Sequence, residues 1–222
     1  TIGSICYSEG INDDVNKFIW LDQEWDPKTP VIETLRDYAR FFICSEWADE
    51  IAHGILALEE NWNGPLIAND NIEVTLRQWQ EIERRVPQDV LKNYRFQMCL
   101  LRAYYDAYIK RRLIYETELE KEAIEVLESA ERLGSLKAVE EAEKILTRAW
   151  EKPVAENYYK KCEELADELF RNIGAQLSVK RHQAASWERG AFMDDINMPL
   201  NNAKWLLAQF KIIRSINDEN ER

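Results

Sequence analysis

The chain has 222 residues, enough for one large domain or two small ones, and 45% are hydrophobic, so a sizeable core can be buried. Its formal net charge of -12 repels phosphate backbones and anionic bilayer surfaces, which sets aside nucleic-acid and membrane-surface binding. No stretch approaches the roughly 20 apolar residues of a membrane span.

Residues 1–7 differ from everything after them. Ile2, Ile5, Cys6 and Tyr7 predict a short buried strand, and Glu9-Gly10 a turn at its end. Asn12, Asp13 and Asp14 form a capping cluster for a helix that runs to about Trp25. Beyond Pro30, Ile32, Leu35, Tyr38, Ala39, Phe42 and Ile43 repeat at three and four residues, which predicts a second helix. A third carries Trp47, Ile51, Ile55, Leu58 and Trp62 on its apolar face, and a fourth Ile72, Leu76, Trp79 and Ile82.

Pro87 suits the first turn of a fifth helix. Its stripe continues from Leu91 through Tyr108, Leu119 and Ala130 to Gly134 without a breaker. This is one very long helix or two with a kink near Arg111-Arg112, the usual spine of a helical bundle. Ser135 is placed as the cap of a helix ending at Trp150, and Pro153 as the start of the next, on Val154, Tyr158, Leu165, Leu169, Ile173 and Leu177. Residues 186–202 break the pattern before a last helix with Trp205, Leu206, Phe210 and Ile213. Low Gly and Pro content, 7 and 6 residues, supports the same assignment. The expected class is therefore all-α, a multi-helix bundle with one very long helix, preceded by a short strand remnant. The expected division is residues 1–10 and 11–222.

Few constellations carry chemistry. Glu50 and His53 form a Glu-x-x-His pair, but a di-iron bundle needs a second one, and the residue three before His182 is Val179. Cys6, Cys44, Cys99 and Cys162 are too scattered for a zinc or redox motif and read as small buried hydrophobes. No metal site and no cofactor are expected. The glutamates between Glu116 and Glu128 read as a solvated helix face, and Arg111-Arg112 as ordinary surface charge. Two polar segments escape the helical pattern, residues 7–14 and 186–195. Both mix carboxylates, aromatic rings and a glycine, a combination that suits sugars or loop anchoring; the second is read as an anchor.

Ile5-Cys6-Tyr7-Ser8-Glu9-Gly10-Ile11, followed by Trp25 and then Leu35, Tyr38 and Ala39, resembles the domain junction of α-N-acetylglucosaminidase-type glycoside hydrolases. In that family a last barrel strand delivers a Glu-Gly-Ile turn with a catalytic carboxylate, and an all-helical C-terminal domain follows. The likeness covers about the first 40 residues. Ser8 stands where the family pattern has proline. The asparagine after Glu-Gly-Ile falls on Asp14, with Asn12 two positions early. The resemblance implies that Glu9 is the catalytic carboxylate, with Tyr7, Asn12, Asp13 and Asp14 positioning it or binding hydroxyls. It further implies that the partners are an upstream barrel of the same polypeptide and a carbohydrate substrate. Such a protein would be secreted or periplasmic, and this chain would be inactive alone. Active sites of (β/α)₈ barrels lie at the C-terminal ends of strands, where a glutamate just after a short apolar strand belongs. The chain begins Thr-Ile-Gly-Ser without Met and shows no signal peptide, so an upstream segment is expected. The competing expectation is a non-catalytic helical interaction or scaffold domain, in which residues 7–14 only cap a helix.

Overall fold

The computed structural model describes Ile5 and residues 13–219. Among these residues every regular element is a helix. Ile5, expected in a buried strand, is almost fully exposed and has no regular structure. Ile2, Cys6 and Tyr7, the rest of that expected strand, lie outside the described residues.

Helix α1 spans Asp14–Trp25, α2 Val31–Phe42, α3 Ala48–Glu60 and α4 Asn71–Arg85. The apolar spacings explain three of the four. Leu35, Tyr38 and Ala39 of α2 are buried, as are Ile51 and Leu58 of α3 and Ile72, Leu76, Trp79 and Ile82 of α4. Trp62, placed on the α3 stripe, is instead exposed and lies under the Arg102 guanidinium at 4.4 Å. Helix α1 buries no residue completely. Because Gly54 has no side chain, a ring from α4 packs directly on the α3 backbone. The Trp79 indole lies over it and donates its Nε1–H to the Gly54 carbonyl at 3.1 Å. A Cβ at position 54 would sit 2.9 Å from the Trp79 ring.

The expected start of the long helix at Pro87 is corrected. A single turn, α5 (Gln88–Leu91), follows Pro87, and α6 (Tyr94–Glu128) restarts after Asn93. Asn93 enforces the break through both ends of its amide. Its Oδ1 caps the Arg95 N–H at 2.9 Å and its Nδ2 donates to the Phe42 carbonyl at 2.7 Å. Beyond it, α6 is one helix of 35 residues with no break near Arg111-Arg112, about 52 Å long. A short α7 (Ala130–Leu133) leads to Gly134, whose φ of +85° turns the chain into α8 (Ser135–Glu151). Gly134, not Ser135, thus holds the N-cap position. Helix α9 (Glu156–Ile173) begins three residues after Pro153 because Ala155, with φ of +55°, first reverses the chain. One-turn α10 (Val179–His182), two 3₁₀ turns and α11 (Ala203–Ser215) complete the chain.

Helix α6 carries two cores. Its first half packs with α2, α3, α4 and α9 around Trp79, Phe96, Leu100 and Leu165. Its second half packs with α8 and α11 around Ala123, Leu146 and Phe210. Between them α6 buries polar groups, which corrects two expectations. Arg112 is not surface charge and Glu116 is not on a solvated face, for both are under 10% exposed. They pair with each other at i and i+4, and together they bind residues 196–201. Arg112 donates to the Ile196 and Met198 carbonyls, while Glu116 accepts the Leu200 N–H at 2.7 Å. One turn on, Glu120 accepts both the backbone and side-chain N–H groups of Asn202.

Two stability experiments follow. Glu116→Ala leaves a buried guanidinium unpaired and should cost about 3–5 kcal/mol in urea melts; hydrogen exchange at Leu200 should accelerate. For Gly54→Ala, helix propensity favours alanine by about 1 kcal/mol. The contact with the rigid Trp79 ring outweighs it, so a net loss of about 1–2 kcal/mol is expected in the same melts.

Candidate functional site

The segment singled out by sequence is described only in part. Tyr7, Glu9 and Asn12 lie outside the described residues. Asp13 holds the N-cap position of α1 and Asp14 begins it. The Asp14 carboxylate faces inward. Its Oδ2 accepts the Tyr38 hydroxyl at 2.8 Å and the Arg95 Nε–H at 2.6 Å. The Arg95 guanidinium in turn lies 4.5 Å from the Phe42 and Tyr94 ring centres. Burial opposes ionisation of Asp14, but the hydrogen bonds from Arg95 and Tyr38 prevail and hold its carboxyl below the usual range. Burial, then the Asp14 carboxylate, push the Tyr38 phenol far upward, so it stays a donor. Two consecutive helices, α1 and α2, and the distant α6 therefore meet on one ionised carboxylate.

A second polar cluster lies between α9 and residues 176–197, around a cleft of about 190 Å³. Its lining includes Tyr159, Glu163, Ser178, Lys180, His182 and Asn197. Asp194, in the expected anchor segment, clamps the first turn of α10. Its two oxygens accept the Ser178 hydroxyl and the Val179 N–H, each at 2.7 Å. The Ser178 bond is the main reason its carboxyl stays below the ordinary range. His182 is 2% exposed; its Nε2 lies 2.9 Å from Asp167 Oδ1 and its Nδ1 has no hydrogen-bond partner among the described residues. Arg181 pairs with Glu163 and Asp167.

Serine, histidine and aspartate side chains thus gather here, but not as a nucleophile and base. The Ser178 proton goes to Asp194, and its oxygen caps the Arg181 N–H at 3.1 Å. A nucleophilic serine needs its proton on the histidine. The cluster is a clasp that closes the chain onto α9, as anchoring requires. The Asp167–His182 pair left no trace in the sequence, since a separation of 15 residues has no helical or strand periodicity.

The remaining candidates are separate. His53 is half-exposed and reaches Asp49 at 3.8 Å, and Glu50 is exposed. Among the described residues no three His, Cys, Asp or Glu side chains converge as metal ligands. Cys162 is buried, while Cys44 and Cys99 are intermediate; all three are free thiols. Burial pushes the Cys99 and Cys162 thiols up to about 12, far from the nucleophilic thiolate. Among the described residues, no helix is long and apolar enough to cross a membrane.

The Asp14 clamp makes a pH-dependent contribution of known sign. Its pKa is lower folded than unfolded, so its stabilisation is complete above the unfolded value of about 3.9. It is lost as pH falls from there through the folded value. Asp14→Asn should cost about 1–3 kcal/mol at neutral pH. It should also flatten the fall in thermal midpoint below about pH 4; calorimetry from pH 2 to 7 measures both. No protein-family model, curated protein or solved structure matches the chain.

Proposed function

We propose that this chain is the all-helical C-terminal part of a glycoside hydrolase-like protein. In this reading residues 1–10 are the last strand and turn of an upstream barrel, and residues 11–222 are the helical domain. Glu9 is the carboxylate contributed to the barrel's active site, with Tyr7, Asn12 and Asp13 beside it. The substrate is a carbohydrate, and the helical part alone has no activity. Retaining glycosidases work with two carboxyl groups about 5 Å apart, one as nucleophile and one as acid. Here the second belongs to the barrel.

The observation that carries the reading is the clamp on Asp14. Five residues of chain reach at most about 18 Å, so a carboxylate at position 9 is delivered within that radius of a fixed point. Asp14 is such a point, tied to Tyr38 and Arg95 on two other helices. A helix N-terminus needs only a local cap; a bond to Arg95, 81 positions away, goes beyond that. Asp14 itself acts as the anchor in this arrangement and not as a sugar ligand.

The test is Glu9→Gln in the polypeptide that carries the barrel. The amide preserves shape and much of the hydrogen bonding but removes the charge that attacks or stabilises the oxocarbenium-like centre. Hydrolysis of an aryl glycoside should fall at least a thousandfold while sugar binding and thermal midpoint change little. Near-normal turnover would overturn the assignment and favour a non-catalytic interaction domain.

A further inference from the structure

The corner that joins α3 to α4 contains the only Asn-Gly pair in the sequence, Asn63-Gly64. Both residues are exposed. Gly64 has a φ of +80°, and nothing lies within 4 Å of the place a Cβ would take. Among the described residues, no hydrogen bond takes up the Gly64 N–H. The Asn63 side-chain amide reaches Glu60 Oε2 at 3.4 Å, beyond the usual range of such bonds. A backbone nitrogen and the side-chain amide carbon of the preceding residue are thus neighbours in the chain, unhindered and loosely held.

The inner side of the corner is firmly held. Asn69 is 7% exposed and uses both ends of its amide. Its Oδ1 accepts the N–H of Asn71, the first residue of α4, at 3.0 Å. That bond fixes which end of the amide faces the preceding turn. Its Nδ2 donates to the carbonyls of Glu60, at 2.9 Å, and Asn63, at 3.1 Å. Its own carbonyl accepts Lys110 Nζ of α6 at 2.7 Å. The bond onto the Asn63 carbonyl falls on the peptide group whose nitrogen belongs to Gly64. It draws electron density toward the oxygen and makes that N–H more acidic.

We propose that Asn63-Gly64 is a self-modification site whose only reagent is water, and that its reaction loosens the entry to α4. Base removes the Gly64 amide proton, and the nitrogen attacks Asn63 Cγ. The N–Cγ bond forms, the Cγ–Nδ2 bond breaks, and Nδ2 leaves as ammonia, which carries away the proton. Oxidation states do not change. Water then opens the five-membered imide. Opening at Cγ gives aspartate at position 63. Opening at the main-chain carbonyl gives isoaspartate, in which the chain runs through the side chain. Either product places a new carboxylate near Glu60. Isoaspartate also adds one carbon to the main chain, inside a turn whose two ends Asn69 holds. Asn69 then cannot keep its contacts on both sides, and the Asn71 N–H at the start of α4 loses its cap.

The test is incubation of the 222-residue chain in mildly alkaline water enriched in heavy oxygen, followed by digestion and mass spectrometry. The peptide carrying residue 63 should exchange its amide for an acid bearing one heavy oxygen, at least tenfold faster than any other asparagine peptide. The rate in the folded chain should exceed that in concentrated urea, because the bond from Asn69 exists only in the fold. Asn69→Ala should bring the folded rate down to the unfolded one, and Gly64→Ala should slow both at least tenfold. The comparison of folded with urea-unfolded chain needs no variant that must fold. In the isolated isoaspartate form, the Asn71 amide should undergo hydrogen exchange at least tenfold faster than in the unmodified chain. A folded chain that reacts more slowly than the unfolded one would overturn the proposal. So would an isoaspartate form in which exchange at Asn71 is unchanged.

Discussion

The structure depends on the desolvated polar groups along α6. A helix of 35 residues inside a bundle can meet neighbours on every side, and an entirely apolar one would have no preferred register against them. Polar side chains supply the register. Asp106 accepts the Asn61 amide at the end of α3, Lys110 donates to the Asn69 carbonyl before α4, and Arg111 chelates Glu73 of α4 with two bonds. Arg112 and Glu116 then bind residues 196–201, and Glu120 binds Asn202. Each is one turn or less from the next, so the spine carries a row of single-valued attachment points. A slip by one residue would leave several charges buried without partners, at a few kcal/mol each.

That row also explains how one helix holds two different cores. The first half of α6 is surrounded by α2, α3, α4 and α9, the second half by α8 and α11. The polar stretch lies between them. Loops as well as helices approach there, and loops bring backbone N–H and C=O groups that need partners. Residues 196–202, a run of turns and bends, are held in this way and pass the chain from the clasp at α9 to the start of α11. The clasp follows the same logic on a smaller scale. Asp194 pairs with Ser178 and Asp167 with His182, and the turn of α10 is fixed without a hydrophobic core of its own.

At the other end, the Asp14 clamp holds the first turn of α1 on α2 and α6. In the second half of α1, Leu21 and Trp25 are exposed.

By itself the sequence determined the helical class, the positions of the principal helices and most core faces. Ile72, Leu76, Trp79 and Ile82 are all buried because a 3.6-residue period is a local property that needs no knowledge of partners. Ends were less legible. The restart at Asn93 and the delayed start after Pro153 depend on a contact with Phe42, 51 positions away, and on a left-handed Ala155, neither of which has a local signature. Only the tertiary structure decided the fate of charges. Glu116 and Glu118 stand two positions apart in the same acidic run, yet one is buried against Arg112 and the other is in water. Asp14 read as a cap and a sugar ligand, and became the acceptor for residues 24 and 81 positions away. Periodicity records which way a residue faces; whether a charge finds a partner there depends on which distant segment arrives, and that is settled by packing.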